Sequence, residues 1–246
     1  MFDSGFSLVQ ARNLDGAIRK TTDKKVRYLI NSHDHSDHVF GNSYFWQRYS
    51  STGLVIISHE ICRDNLLKNG PRRLKEYREA RAIKMSLLSI EIKGPNTTYS
   101  DPAIRIEIEG RKVVLSHPPT GAHTLGDTVL FLPDQDTIFA GDVIWNRFFP
   151  NLEDANLEGW TSYLDGIDLT EYKKIVPGHG EVCGSERAIE FKKYLAHVRL
   201  NLLEVDSKGR RDQNLRSCFL VPGSERWRLG SIIDYNVEQI FGKSRV

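Results

Sequence analysis

Three histidines and two aspartates lie within six consecutive residues, in the order H-D-H-S-D-H over residues 33–38. Imidazole nitrogens and carboxylate oxygens are the ligands that suit zinc and similar divalent ions. Two histidines one residue apart turn their rings the same way when the backbone is extended or sharply turned, so the pattern predicts a loop rather than a helix. A histidine-rich turn without a metal is the simpler alternative, but such tracts are typical of metal sites. The candidate ligands here are His33, His35, Asp37 and His38.

A short β-rich run precedes these ligands and predicts how they are positioned. Val26, Tyr28 and Ile30 alternate with the residues at 27, 29 and 31 in a short run rich in β-formers, which is typical of a strand. The ligands therefore follow the carboxyl end of a predicted strand.

Three later loops supply further candidate ligands. His117 and His123 compete for this role in a loop rich in Gly and Pro, over residues 117–127. Asp142 follows a predicted strand over residues 137–140, and His179 follows another over residues 172–176. Strands that each end in a polar loop predict an α/β protein with its site at one sheet edge.

Composition limits the classes of function. The chain has 246 residues, of which 39% are hydrophobic and 27% charged, and its formal net charge is +2. These fractions are typical of a globular enzyme, and so balanced a charge does not by itself indicate a nucleic-acid or membrane partner. The expected partner is a small-molecule substrate, with no nucleic acid and no membrane, for a monomer or homodimer. The three cysteines have no metal-binding spacing and are expected to be free and buried. The first residues lack a signal-peptide pattern, so a cytoplasmic protein is expected, or a periplasmic one if an upstream signal peptide is missing.

Two other regions allow more than one interpretation. Residues 63–92 carry a dense mixture of charges, which predicts a solvated helical face; the alternative is that some arginines attract an anionic substrate. His59, at a predicted strand-to-helix turn, is expected to be structural or to cap a helix. Residues 209–246 are expected to form a C-terminal helical extension of a single domain spanning residues 1–246.

The order of the polar motifs resembles the metallo-β-lactamase fold superfamily. These motifs are H-x-H-x-D-H, then H-T-x-G-D, then G-D after a strand, then P-G-H-G. The resemblance runs from Asp3 to about Leu195 and implies a four-layer αββα sandwich. The segment from Pro95 to Asn146 more specifically resembles the branch that includes the quinoprotein relay zinc hydrolases. Members usually have several strands before the aspartate that matches Asp3, so we expect either a truncated reading frame or a replacement of those strands.

The resemblance also implies a site with two zinc ions, with iron or manganese as alternatives. His33, His35 and His123 would bind the first metal, and Asp37, His38 and His179 the second. Asp142 would bridge the two metals, while Asp3 would orient a ligand without binding a metal. Carboxylates at such a site offset the repulsion between the cations. Asp37 is the catalytic candidate, because it could hold or relay the proton of a bridging water.

The predicted function is a dinuclear zinc hydrolase of a small-molecule ester, thioester, lactone or lactam, acting through a metal-bridging hydroxide. Asp142 disfavours a true β-lactamase, since that position typically carries Cys or Ser in those relatives. A mononuclear iron dioxygenase of thiol adducts is a second alternative, disfavoured by His38 and His179. A nucleic-acid phosphodiesterase would need a clamp domain, and only 36 residues separate Asp142 from His179. The non-enzyme alternative is an inactive, truncated family member.

Overall fold

The computed structural model describes residues 1–80, 84–207 and 215–242. The chain divides into two compact units, Met1–Asp101 and Pro102–Val246. Each unit combines helices with a β-sheet, so the predicted mixed α/β class is confirmed. The single domain and the four-layer arrangement stay predictions.

The first unit contains a three-stranded parallel sheet in the order β1-β2-β3. Its strands are β1 (Tyr28–Ile30), β2 (Val55–His59) and β3 (Thr97–Tyr99). Its helices are α1 (Leu8–Thr21), α2 (Ser36–Val39), α3 (Asn42–Tyr49), α4 (Glu60–Glu79) and α5 (Lys84–Leu87), with a short 3-10 helix at Ser50–Thr52. Leu29 on β1 and Ile56 on the central strand β2 are fully buried, as expected of a parallel sheet.

Local sequence explains where the first helix begins and ends. The Ser7 hydroxyl accepts a hydrogen bond from the Gln10 backbone N–H and caps α1. Arg19 and Lys20 lie in its last turn, where positive charge is favourable.

The ligand stretch is only partly a loop. Residues 31–35 are irregular, as predicted, but Ser36–Val39 forms the single-turn helix α2. The Phe40 N–H donates to the Ser36 carbonyl at 3.1 Å, which closes this turn. The prediction of a loop throughout was therefore wrong for Asp37 and His38, because one helical turn satisfies backbone groups that a loop would leave to solvent.

The second unit contains a five-stranded sheet in the order β4-β5-β6-β7-β8. Its strands are β4 (Ala103–Ile108), β5 (Arg111–Ser116), β6 (Val129–Leu132), β7 (Thr137–Trp145) and β8 (Lys174–His179). Its helices are α6 (Leu157–Asp165), α7 (Ser185–Ser207) and α8 (Ile232–Phe241), with 3-10 helices at Pro133–Gln135, Leu169–Glu171 and Leu215–Phe219. Neighbours are antiparallel from β4 to β7, and β8 pairs with β7 in parallel.

The β4–β5 hairpin follows a strand in which isoleucines alternate with charged residues. The turn consists of Glu109 and Gly110, with φ angles of 49° and 78°. Two positive φ angles in a two-residue loop match the twist of the flanking strands. The hairpin therefore carries β4 back onto β5 in register.

The core of the second unit lies between the sheet and its helices. Trp160 of α6 and Phe191 of α7 are fully buried in this core. Within the described part of residues 209–246, Phe219 and Ile233 are also fully buried in it. This part contains the 3-10 helix Leu215–Phe219 and α8, while residues 209–214 and 243–246 lie outside the described residues. That residues 209–246 form an extension of the domain stays a prediction.

Two smaller expectations can be compared with the structure. The three cysteines are free; Cys62 and Cys218 are buried, and Cys183 is half-buried. Among the described residues, no helix is long and apolar enough to cross a membrane.

Candidate functional site

The first cluster of candidate ligands follows strand β1 in the first unit. His33 is fully buried, and its ring centroid lies 4.6 Å from that of His35 and 4.2 Å from that of His38. The rings of the H-x-H pair therefore lie side by side, although His38 comes from helix α2. The structure brings these three imidazoles together within one unit.

Asp37 and His38 share helix α2 and meet through their side chains. Asp37 Oδ2 lies 3.4 Å from His38 Nε2. The Asp37 side chain is 45% exposed, whereas that of His38 is 6% exposed. A carboxylate that is open to solvent on one side and faces an imidazole on the other could contact both a metal and a substrate.

Asp3 contacts His38 and accepts three hydrogen bonds in all. Its Oδ1 accepts from the Ser32 backbone N–H at 2.7 Å. Its Oδ2 accepts from the Ser32 hydroxyl at 2.7 Å and from His38 Nδ1 at 2.8 Å. Because Nδ1 of His38 carries the hydrogen, Nε2 is the basic nitrogen of that ring. Such an outer partner fixes both the tautomer and the orientation of a metal-binding histidine.

The same hydroxyl sets the tautomer of His33. The Ser32 hydroxyl donates its single hydrogen to Asp3, so at its 2.9 Å contact with His33 Nδ1 it can only accept. His33 Nδ1 is then a donor, and Nε2 is again the basic nitrogen. Asp3 also has a φ angle of 58°, which is unfavourable for a residue with a side chain. Its hydrogen bonds help to hold this backbone conformation.

A buried network that sequence reasoning missed supports this cluster. Asn31 and Asn42 exchange side-chain hydrogen bonds at 2.8 and 3.1 Å. The Ser4 hydroxyl lies 2.8 Å from Asn42 Oδ1 and 3.0 Å from the His38 carbonyl. A Cβ at Gly41 would come within 2.1 Å of the Ser4 carbonyl oxygen, so only glycine allows this approach. The network joins the N-terminal segment to the ligand stretch.

The second cluster of candidate ligands lies in the second unit, around Asp142 of β7. Asp142 Oδ2 lies 3.3 Å from His123 Nε2 and 3.4 Å from His179 Nε2. His123 and Asp142 are buried, while the side chain of His179 is 30% exposed. His123 and His179 therefore meet at one oxygen of the Asp142 carboxylate. Only His123 lies in a loop as predicted, since β7 runs on through Asp142 to Trp145 and β8 ends at His179 itself.

The H-T-x-G-D motif forms the turn that carries His123. Asp127 accepts a hydrogen bond from the Thr124 N–H at 2.8 Å and another from the Thr124 hydroxyl at 3.0 Å. His117, the competing candidate, instead directs its Nδ1 to the Asp127 carbonyl oxygen at 2.9 Å. Burial lowers the pKa of His117, although this hydrogen bond opposes the shift. His117 supports the turn, and His123 reaches Asp142.

Packing around Asp142 is close on two sides. Trp145 donates its indole N–H to the Asp142 carbonyl oxygen at 2.7 Å, and its ring lies 4.1 Å from that of His179. A Cβ at Gly178 would come within 1.8 Å of Asp142 Oδ1. The P-G-H-G motif thus keeps a glycine where the carboxylate needs space.

His59 confirms the structural role expected for it. Its Nδ1 accepts a hydrogen bond from the Ile61 N–H at 3.3 Å and caps α4. Its ring also packs edge-on against Tyr99.

The donor chemistry of each cluster fits a divalent cation. Both present imidazole Nε2 atoms beside a carboxylate oxygen, which is the combination that zinc binds in proteins. In the first cluster, hydrogen bonds on Nδ1 leave Nε2 of His33 and His38 as the basic nitrogen. Each unit therefore carries a His/Asp cluster able to hold a metal.

Comparison with known proteins defines the family. The family profile described as the Metallo-beta-lactamase superfamily matches residues 1–179. This match covers more than half of the chain and includes all the candidate ligands. The chain belongs to the metallo-β-lactamase superfamily, which confirms the resemblance based on its motifs.

Similar proteins include both sulfatases and lactamases. The linear primary-alkylsulfatase of Pseudomonas sp. (strain ATCC 19151) is 26% identical over 219 residues, covering 76% of this chain and 40% of the relative. The stereoselective inverting sec-alkylsulfatase Pisa1 from Pseudomonas sp. superposes with a TM-score of 0.75 at 16% identity, covering 98% of this chain and 45% of that one. The metallo-β-lactamase FIM-1 from Pseudomonas aeruginosa, in its mono-zinc form, gives a TM-score of 0.59 at 20% identity, covering 79% of this chain and 76% of that one.

These comparisons support the fold and the class of enzyme. This chain spans less than half the length of the alkylsulfatases that it matches. The alkylsulfatases and metallo-β-lactamases are hydrolases, which agrees with the predicted enzyme class. The solved structures share less than 25% identity with this chain and therefore establish its fold alone.

Proposed function

We propose that this protein is a metal-dependent hydrolase with a dinuclear site, acting on a small-molecule ester, thioester, lactone or lactam. One observation carries the proposal: each unit holds a His/Asp cluster whose geometry and donor atoms fit a divalent cation. Membership in a superfamily that includes hydrolases supports it.

The proposed metal ligands are the seven side chains found in the two clusters. His33, His35 and His123 would hold one metal, Asp37, His38 and His179 would hold the other, and Asp142 would bridge them. Zinc is the proposed metal, with iron or manganese as alternatives, because imidazole and carboxylate donors suit all three. When bound, such metals supply a nucleophile at neutral pH by lowering the pKa of water, and they polarise the bond under attack.

The chain's own residues have separable roles in this proposal. Asp37, half exposed beside His38, would hold a proton at its carboxylate and pass it to the leaving group. Asp3 would keep the imidazole of His38 in the tautomer that presents Nε2. Trp145 would hold the backbone of Asp142 and cover one face of His179, which limits the access of water.

The test is hydrolysis by the metal-reconstituted protein with a panel of substrates. The panel contains an aryl ester, a thioester, a lactone and a β-lactam, each assayed before and after chelation. We expect turnover of at least one carbonyl substrate that chelation abolishes and added zinc restores. The Asp142→Asn variant should lose this turnover, while the surface variant Asp64→Asn should keep it. Turnover that is insensitive to chelation would contradict the proposal.

A second candidate substrate class is an alkyl sulfate ester. It is favoured by the 26% identity to a linear primary-alkylsulfatase over 76% of this chain. A short-chain and a long-chain alkyl sulfate belong in the same panel, with release of inorganic sulfate as the measurement. Sulfate release without carbonyl hydrolysis would favour this class over the first.

A further inference from the structure

Asp34 lies between the first two histidine ligands but does not belong to either candidate ligand set. It separates His33 from His35 in the sequence and is buried. Burying a carboxylate is costly unless it is paired and hydrogen-bonded.

Arg73 of helix α4 pairs with the buried Asp34. Its Nη1 lies 2.7 Å from Asp34 Oδ2 and 3.1 Å from the Asp34 carbonyl oxygen. The Asp34 side chain is 4% exposed and that of Arg73 is 18% exposed. Hydrogen bonds between charged partners are about twice as strong as neutral ones, and burial reduces their screening by solvent.

One guanidinium nitrogen thus contacts both the side chain and the backbone of the same residue. The side-chain contact fixes the rotamer of Asp34. The contact with the carbonyl oxygen fixes the plane of the peptide bond between Asp34 and His35. Together they hold the short segment of backbone on which both histidines depend.

The neighbouring arginine makes a different contact. Arg72 pairs with Glu76 one helical turn away, and its side chain is 63% exposed. This is the solvated helical face that the sequence predicts for the region. Arg73 departs from that prediction, because its guanidinium faces the ligand stretch rather than solvent.

We propose that Arg73 is a positioning residue that holds the His33–His35 segment in its metal-binding conformation. This inference rests on the proposed function, since it assumes that the two histidines bind a metal. Preorganised ligands avoid the cost of ordering when the metal binds, and loss of an outer partner typically lowers metal affinity about 10- to 100-fold. The loss should fall on the metal that His33 and His35 hold.

The experiment measures the two zinc affinities of Arg73→Ala, Arg73→Lys and the matched control Arg72→Ala. Metal-free proteins are titrated with zinc against a chromophoric chelator, which resolves the two equivalents. Thermal unfolding of each metal-free variant reports its folding. We expect Arg73→Ala to bind one equivalent about 10- to 100-fold more weakly and to keep the other. Arg73→Lys should lie between Arg73→Ala and wild type, because one ammonium on an unbranched arm reaches the two oxygens less well.

The outcomes separate this inference from the proposed function. Wild-type affinity in Arg73→Ala would overturn the inference, as would an equal weakening of both equivalents in folded protein. If Arg73→Ala does not fold, wild-type affinity in Arg73→Lys would overturn it. If wild-type protein itself binds no zinc, the proposed function fails before Arg73 is tested.

Discussion

Replacing Asp3 by Asn should weaken binding of the metal held by His38, although it changes none of the proposed metal ligands. Asp3 accepts three hydrogen bonds, two from Ser32 and one from His38. An asparagine offers one oxygen and one NH₂ group, so it cannot accept from all three donors. If its NH₂ group faces His38, Nδ1 of that ring must become the acceptor, which moves the hydrogen to Nε2. An Nε2–H cannot bind a metal.

The size of the effect follows from this change of tautomer. Loss of a partner behind a metal-binding histidine typically lowers metal affinity about 10- to 100-fold, or roughly 1.4 to 2.7 kcal/mol. If the amide rotates so that its oxygen faces His38, its NH₂ group meets the Ser32 N–H instead. The expected cost is then the loss of a hydrogen bond to a charged group, about 1.5–3 kcal/mol of folding stability.

The assay combines a zinc competition titration with thermal unfolding of the metal-free protein. Asp3→Asn should weaken the zinc equivalent bound by His38, lower the unfolding temperature, or do both. Asp64→Asn is the control, since that side chain is 64% exposed and pairs with the neighbouring Arg63. An Asp3→Asn protein with wild-type stability and wild-type affinity for both equivalents would refute the reasoning.

Three further substitutions test other parts of the structure. Gly178→Ala should lower zinc uptake and cost roughly 1–3 kcal/mol of stability, because its Cβ would meet Asp142 Oδ1. The control is Gly230→Ala, whose Cβ would meet no atom within 4 Å. It should change neither the zinc titration nor the unfolding measurement. Gly16→Ala in α1 should raise the free energy of unfolding by about 0.4–1 kcal/mol, because alanine restricts the unfolded chain and its Cβ would meet nothing within 4 Å in the helix. A loss of stability in urea unfolding would contradict this. Asp15→Asn should cost about 1.5–3 kcal/mol at pH 7 and should flatten the acid limb of the pH–stability profile; an unchanged profile would count against it.

The pH dependence expected for Asp15 follows from its surroundings. Burial alone would raise the pKa of this carboxyl, but hydrogen bonds from Tyr49, Tyr44 and Arg19 outweigh that effect and hold the pKa below its ordinary value. A carboxyl with a lowered pKa in the folded state contributes its full stability above its unfolded pKa of about 3.9. This contribution is lost as pH falls through the folded-state pKa.

The sequence predicted the strands and the candidate ligands because their signals are local. Alternation at Ile104–Ile108 reflects one half-buried and one exposed side of β4. In β1 both Leu29 and Ile30 are buried, so burial does not follow the alternation there. The ligands stand out because several histidines and carboxylates cluster beside predicted strand ends. Helix α2 was missed, since a single turn at Ser36–Val39 leaves no room for a helical periodicity.

The supporting contacts could not be predicted, because they join residues distant in the sequence. Ser4 bonds to Asn42, 38 residues away, and Arg73 bonds to Asp34, 39 residues away. Neither pair has a spacing in the sequence that predicts a contact. The choice between His117 and His123 likewise required the position of the Asp127 carbonyl oxygen.

The metal content of the reconstituted protein tests the central claim most directly. Metal-free protein is incubated with excess zinc, dialysed, and measured by elemental analysis against protein concentration. The proposed dinuclear site predicts two equivalents of zinc per folded chain. Fewer than two equivalents in folded protein would contradict the dinuclear site.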